Sequence, residues 1–295
     1  MELRHLRYFL AVCEELNFTR AAEKLMIAQP PLSRQIRDLE EEVGAPLFIR
    51  GHHNLELTEE GQMFRQYAGR IVGLADRSVS DIRQMHDGLQ GTLYIDGVEG
   101  KAASIIADWV SEFSAMYPHV QFSLWNSNTD EVTARIKKGL SDVAIVMEPY
   151  DSEGLHSIAI DDEPWIAMFS KDHDLAKKEG DTISMLDIAD YELIVPSRDS
   201  RLREIGDRIE PYGKSLKVKA RVSHVLNVFE LCRHNVGVAI FPAASTDIVK
   251  DESVVTKTLV DKEYRARYVA VYSDEHILSP VANEFISFIR YKIMG

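Results

Sequence analysis

Residues 59–87 contain no proline, and Phe64, Tyr67, Ile71, Leu74 or Ala75, Val79, Ile82 and Met85 recur there at gaps of three and four. That is the helical period. Only Gly61, Gly69 and Gly73 weaken the run. At about 1.5 Å per residue it makes a rod roughly 43 Å long. So long a helix needs a partner for its apolar stripe. It reads as a dimerisation helix, the alternative being a helix docked on its own chain. With a hinge at Asp87-Gly88 through Gly91, this linker (59–90) separates a head, residues 1–58, from a larger remainder, residues 91–295.

The head carries three further helical series. Leu3, Leu6, Phe9, Leu10, Cys13 and Leu16 share one face. Asn17-Phe18-Thr19 interrupts, with Thr19 the expected N-cap of a short helix that turns Ala22 and Leu25 inward. The third series is Leu32, Ile36, Leu39 and Val43, closed by Gly44. Pro30 and Pro31 fall in its first turn, where the backbone N–H groups have no intrahelical partner to lose. The outward face behind them carries Gln29, Ser33, Arg34 and Arg37. A short helix, a turn and a second helix with such groups near its N-terminus is the layout of a helix-turn-helix, whose second helix enters the major groove. Gln pairs with adenine and Arg with guanine in two-point contacts. From Pro46 to Thr58, two apolar runs flank Gly51-His52-His53-Asn54, the pattern of a β-hairpin. Beside a helix-turn-helix this is a wing, with Arg50, His52 and His53 placed to meet phosphates.

Charge by itself opposes a DNA partner, since the net charge is −13 at pH 7. Even residues 1–58 hold nine acidic and seven basic side chains. The acids cluster at Glu14-Glu15 and Glu40-Glu41-Glu42, away from the expected reading face, so Arg20, Arg34, Arg37 and Arg50 can still form a positive stripe. Few phosphate contacts per subunit imply modest monomer affinity and a need for dimers.

Beyond residue 91 the patterns alternate: strands at 92–97, 120–125, 142–147, 158–160, 165–169, 193–195, 217–222, 238–241 and 268–272, helices at 102–116, 130–138, 200–211, 224–233 and 280–293. Alternation implies parallel βαβ units. Asp161-Asp162-Glu163-Pro164 reads as a crossing between two lobes, lobe I at about 91–161 and 266–295, lobe II at about 162–265. Ligands of open α/β sheets bind beyond the carboxyl ends of strands. The candidate effector contacts are therefore Gly100, Lys101, Thr129, Met147, Pro196, Ser197, Arg198 and His224. Helix N-termini, hydroxyls and cations favour an anion there, most simply a small carboxylate. Thr129 and Ser197 could instead only cap helices, Arg198 could pair with Asp199 or Asp207, and Lys101 could point into water.

The order Ala22-x-x-Leu25-x-x-Ala28-Gln29-Pro30-x-Leu32-Ser33-x-x-Ile36-x-x-Leu39-Glu40, then Gly44-x-x-Leu47-Phe48-x-Arg50 and Leu57-Thr58-x-x-Gly61, closely resembles the LysR-type transcriptional regulators. The resemblance is strong over residues 1–65 and looser but continuous afterwards. It implies a winged helix-turn-helix, a long linker helix and a two-lobed α/β effector domain like the periplasmic binding proteins. It also implies double-stranded promoter DNA as partner, a small-molecule effector, and a homodimer or dimer of dimers. The Ala28–Ile36 segment resembles the branch that answers aromatic or muconate-like acids. The chain departs from that branch at Gly100, where the branch has Ser or Thr, and at Met147, where it has Arg.

Competing readings have less support. No P-loop, H-E-x-x-H or G-x-S-x-G occurs, so no catalytic residue, metal or cofactor is assigned. The start lacks the apolar core of a signal peptide and no run approaches a membrane span, which reads as cytoplasmic. Two cysteines, Cys13 and Cys232, argue against a disulfide framework and a cysteine-based zinc site. Within the family the alternatives are a regulator without effector and a redox sensor built on Cys232. The latter falls among apolar residues of an expected helix, where a buried structural thiol is the simpler reading.

Overall fold

The computed structural model describes residues 1–50, 55–87, 89–247, 251–260 and 264–294. Contacts divide the chain into two compact units, Met1–Gly88 and Leu89–Gly295.

The first unit runs α1 (Leu3–Glu15), α2 (Phe18–Lys24), α3 (Gln29–Val43), β1 (Phe48–Arg50), β2 (Leu55–Leu57) and α4 (Glu59–Asp87). Its core joins Leu6, Phe9 and Val12 of α1, Ala21 and Ala22 of α2, Leu32, Ile36 and Leu39 of α3, Leu47 and Phe48 of the hairpin, and Ala68 of α4. Phe9 meets Phe48 and Phe64 at ring distances of 5.3 and 5.0 Å. Val43, at the last turn of α3, stays exposed rather than joining the stripe. The cap of α2 is Asn17, not Thr19: Asn17 lies in extended backbone, and its side chain accepts from Thr19 N at 2.9 Å and Arg20 N at 3.1 Å. The helix starts two residues earlier than expected because the Asn17 carbonyl reaches both orphan donors.

The head also explains its own signature. Glu40 accepts the backbone N–H groups of Leu47 and Phe48 at 2.9 and 3.2 Å, tying the hairpin to α3. Thr58 donates its hydroxyl to Pro46 O and accepts from Gly61 N, both at 2.8 Å. Gly44 ends α3 at φ +80°.

In α4, the expected stripe is divided. Phe64, Ala68 and Val72 turn into the head's own core. Met63, Ile71, Leu74 and Val79 remain 60%, 41%, 71% and 51% exposed. The side chains of Ile82 and Met85 lie outside the described residues.

The second unit runs β3 (Gly91–Val98), α5 (Lys101–Met116), β4 (Val120–Ser127), α6 (Thr129–Lys137), β5 (Val143–Met147), β6 (Leu155–Ser170), β7 (Thr182–Ile183), α7 (Met185–Ile188), β8 (Leu193–Pro196), α8 (Asp199–Ile209), β9 (Val218–Val222), α9 (Val225–Arg233), β10 (Val238–Pro242), β11 (Val254–Leu259), β12 (Arg265–Ser273) and α10 (Pro280–Met294). The sheet order is β4-β3-β5-β12-β6-β10-β8-β9, with β11 pairing β6 and β7. β3 runs parallel to β4 and β5, and β8 parallel to β9 and β10, so each lobe aligns its strand ends.

The crossing expected at Asp161–Pro164 is not a break. β6 is one strand of 16 residues. Its first part, to Pro164, pairs with β12, and its second part, from Trp165, pairs with β10 and β11. The three acids do not interrupt it because each has a partner. Asp161 pairs with Lys101 at 2.6 Å, Asp162 with Arg265, and Glu163 accepts from Tyr268 Oη at 2.5 Å and Ala244 N at 2.7 Å.

Candidate DNA-reading face and effector cleft

In the first unit, α3 presents Gln29, Pro30, Ser33, Arg34 and Arg37. Arg34 and Arg37 are exposed, as is Pro30, and Gln29 and Ser33 are half-buried. Gln29 Nε2 donates to Ser33 Oγ at 2.9 Å, which steadies the amide on the helix surface. Ala28 caps the helix without a side-chain bond, and the prolines occupy its first turn, as the orphan-donor argument requires. Ion pairing sorts the basic residues of residues 1–58. Arg4 pairs with Glu2, Arg7 with Asp76, and Lys24 with Glu14 and Glu15. Among the described residues no carboxylate lies within ion-pair distance of Arg20, Arg34 or Arg37. Among the described residues, Arg20, Arg34 and Arg37 are thus the basic groups of the head whose charge no ion pair neutralises. Of the clustered acids, Glu14 and Glu15 hold Lys24, and Glu42 holds the N-terminal amine. The Arg50 side chain, His52 and His53 lie outside the described residues.

In the second unit, the strand ends of the two lobes meet. On lobe I, Gly100 begins α5 at φ +87°, a conformation that favours glycine. Thr129 is buried and donates to Met147 O at 3.4 Å. The cap of α6 is Asn128, whose Oδ1 accepts from Glu131 N at 3.0 Å, so Thr129 is not a capping residue. Lys101 does not point free into water but reaches Asp161.

On lobe II, Pro196 ends β8 and is half-buried, Ser197 is exposed with its N–H donating to Val222 O at 2.9 Å, and His224 stands at the N-cap of α9. Arg198 pairs with neither Asp199 nor Asp207. Its Nε and Nη2 donate across the cleft to Asp130 Oδ1 at 3.1 and 2.7 Å, and Nη2 also donates to Pro149 O at 2.9 Å. Asp199 binds Arg221 instead. His224 Nδ1 lies 2.6 Å from Glu99 Oε1, and Glu99 Oε2 accepts from Val225 N at 3.1 Å. The hydrogen bond to Glu99 and its negative charge raise the His224 pKa above its ordinary 6.5, with Glu131 adding to the effect.

Three residues that carry this geometry escaped sequence reasoning as site residues: Asp130, Glu99 and Arg201. Arg201 is fully buried on α8, donates to Glu148 O and to Glu204, and stacks 5.0 Å from the Trp165 ring. Glu99 sits beside Gly100 in the turn between β3 and α5, where a carboxylate gave no sequence signal of its own. Asp130 and Arg201 lie in the first turns of helices, where a side chain's direction decides its role and sequence spacing does not give direction across lobes.

Residues 3–62 match the bacterial regulatory helix-turn-helix protein, lysR family, and residues 86–293 match the LysR substrate binding domain. The chain belongs to the LysR family. Two LysR-type relatives match along nearly their whole lengths. YnfL of Escherichia coli strain K12 is 31% identical over 97% of this chain and 96% of its own. AlsR of Bacillus subtilis strain 168 is 29% identical over 97% of this chain and 94% of its own. Full-length CbnR, solved in complex with its target DNA, shares the fold with a TM-score of 0.79 and 24% identity over 99% of both chains. The chain is thus a LysR-type DNA-binding transcriptional regulator with an effector-binding domain. Its relatives are regulators, not enzymes. Among the described residues, no helix of this regulator is long and apolar enough to cross a membrane.

Cys232 is buried, donates to Met168 O at 3.3 Å, and burial pushes its thiol up to about 12. Such a thiol is protonated at neutral pH and is a poor redox sensor.

Proposed function

We propose that this LysR-type regulator acts in the cytoplasm as a homo-oligomer, a dimer or dimer of dimers, on promoter DNA. Gln29, Pro30, Ser33, Arg34 and Arg37 read the major groove, while Arg20 and the wing residues Arg50, His52 and His53 meet phosphates. The exposed row Met63, Ile71, Leu74 and Val79 on α4 is the apolar face that a second copy covers. Half-sites one or more DNA turns apart match two reading heads held by such a pair.

The effector is a small carboxylate-bearing metabolite bound between the lobes, among Gly100, Lys101, Thr129, Met147, Pro196, Ser197, Arg198 and His224. The observation that carries this is Arg198. Its side chain is only 9% exposed, yet it stands between the strand ends of both lobes with a buried Nη1 that has no hydrogen-bond partner among the described residues. A buried guanidinium N–H without an acceptor is costly, and a carboxylate oxygen satisfies it. Binding alters the angle between lobes and so the way the oligomer presents its reading helices, provided the two conformations differ in effector affinity.

The first test is binding of the purified protein to the duplex upstream of its own gene, beside a shuffled duplex, across a salt titration. Tight binding to the native duplex alone, weakening steeply with salt, is the expected result. Absence of binding to either duplex at low salt overturns the reading face. With binding in hand, the same assay screens small carboxylates.

A further inference from the structure

The cleft is closed by its own carboxylates. Both cross-lobe ion pairs have the same sense: an acid from lobe I lies on a cation or N–H of lobe II, Asp130 on Arg198 and Glu99 on His224 and Val225 N. The two differ in quality. Glu99 uses both of its oxygens, one for the imidazole and one for the backbone N–H. Asp130 uses one: Oδ1 accepts from both Nε and Nη2, while Arg198 Nη1 is left buried and unpartnered. A guanidinium binds a carboxylate best through two parallel N–H···O bonds. Held by the backbone of α6, Asp130 does not achieve that pairing. Its side chain is also 66% exposed, so the pair is of the kind that contributes little and is easily broken.

We propose that Asp130 is a tethered stand-in for the effector's carboxylate, and that effector binding is an exchange in which the incoming carboxylate displaces Asp130 from Arg198. This rests on the reading of the inter-lobe cleft as the effector site. The exchange leaves net charge on the guanidinium unchanged, since one carboxylate replaces another, and supplies the acceptor that Nη1 lacks. Two carboxylates on one guanidinium would repel one another, so both do not stay. Thr129, the residue before Asp130, is buried while Asp130 holds Arg198. Asp130 is therefore a specificity residue: it competes against weakly bound anions and admits only those that bind the guanidinium better than it does.

The test uses the full-length protein with acetate, propionate, succinate and benzoate as probes, and acetamide and benzamide as uncharged controls. Affinities are measured by calorimetry for the natural protein and for Asp130→Asn and Asp130→Ser. Asp130 is exposed, so ligand-free melting temperatures should stay close to that of the natural protein, which checks folding. The expected result is that the best-bound carboxylate binds both variants tighter, by roughly threefold or more, the factor set by relieving an exposed ion pair, while the amides bind none of the three proteins. Carboxylate binding that is unchanged or weaker in both variants overturns the exchange and leaves the carboxylate cleft standing. No binding of any probe to any of the three proteins overturns the exchange and the carboxylate effector together.

Discussion

At the scale of single residues, Gly61 and Arg34 illustrate two kinds of constraint. A Cβ added at Gly61 would stand 2.0 Å from Leu47 O, a backbone atom that cannot swing aside. Gly61→Ala should therefore destabilise the head by about 1–3 kcal/mol, the usual cost of forcing atoms into a packed site, seen as a lower denaturation midpoint. An unchanged midpoint would show that the hairpin shifts freely. Arg34 has the opposite character, being exposed and without an ion pair. Arg34→Ala should leave the melting temperature alone, weaken DNA binding, and lower the salt slope by about one if it meets a phosphate, or relax base preference at one position if it reads guanine. Unchanged affinity removes Arg34 from the reading face. The signature that made the head legible is mostly of the Gly61 kind. Glu40, Gly44, Thr58 and Gly61 hold helix to hairpin, Leu32, Ile36 and Leu39 fill the core, and the outward-facing Arg34 and Arg37 fall at positions the signature leaves unspecified. That is why sequence order specified the head's fold so sharply and says little about its DNA target.

At the scale of elements, helices and parallel strands were readable because their periods are long and their ends carry Gly, Pro and Asn. What was not readable follows physical rules too. β7 and α7 have two and four residues, too few to display a period. β11 buries Lys257, whose Nζ donates to Lys178 O and Gly180 O, so its alternation looks polar. β6 carries three acids and a proline, and it stays extended only because partners on other elements neutralise or bind each acid. The rod α4 was legible as a helix, but its stripe hid two faces. Ile71→Asp, on the exposed face, should yield monomers with the head still folded; an oligomer persisting in light scattering would refute the dimer role of α4. The start of α9 gives a pH test. Because Glu99 raises the His224 pKa, the stabilising contact is fully present below about 6.5 and is lost as pH rises through the raised value. Exchange of the Val225 amide proton should therefore speed up across that window beyond the intrinsic pH effect. Glu99→Gln should abolish the excess; an excess that survives the substitution would assign it to another group, Glu131 being the other acid that acts on His224.

At the scale of the whole molecule, regulation requires the cleft to bear on DNA occupancy. Ser197→Ala removes an exposed hydroxyl at a strand end and breaks no side-chain contact, so basal DNA binding should be unchanged while the effector response weakens. A normal response curve would count against the cleft as drawn. The candidate cleft was legible as a set of strand ends because parallel strands in each lobe terminate together. Which side chains close it was not, because Asp130, Glu99 and Arg201 act across lobes. One feature of the sheet limits what that closure can be. β6 runs through both lobes, and its first part is hydrogen-bonded to β12 from Arg265–Pro164 to Ser273–Leu155, with one irregularity, at Tyr268/Val269. The two lobes therefore share one continuous strand, whose lobe I part is doubled into a two-stranded ribbon. A ribbon of this kind resists stretching and yields to torsion, most easily at its irregular step. An effector that closed the cleft would then be read as twist about the axis of that strand, a signal carried as angle.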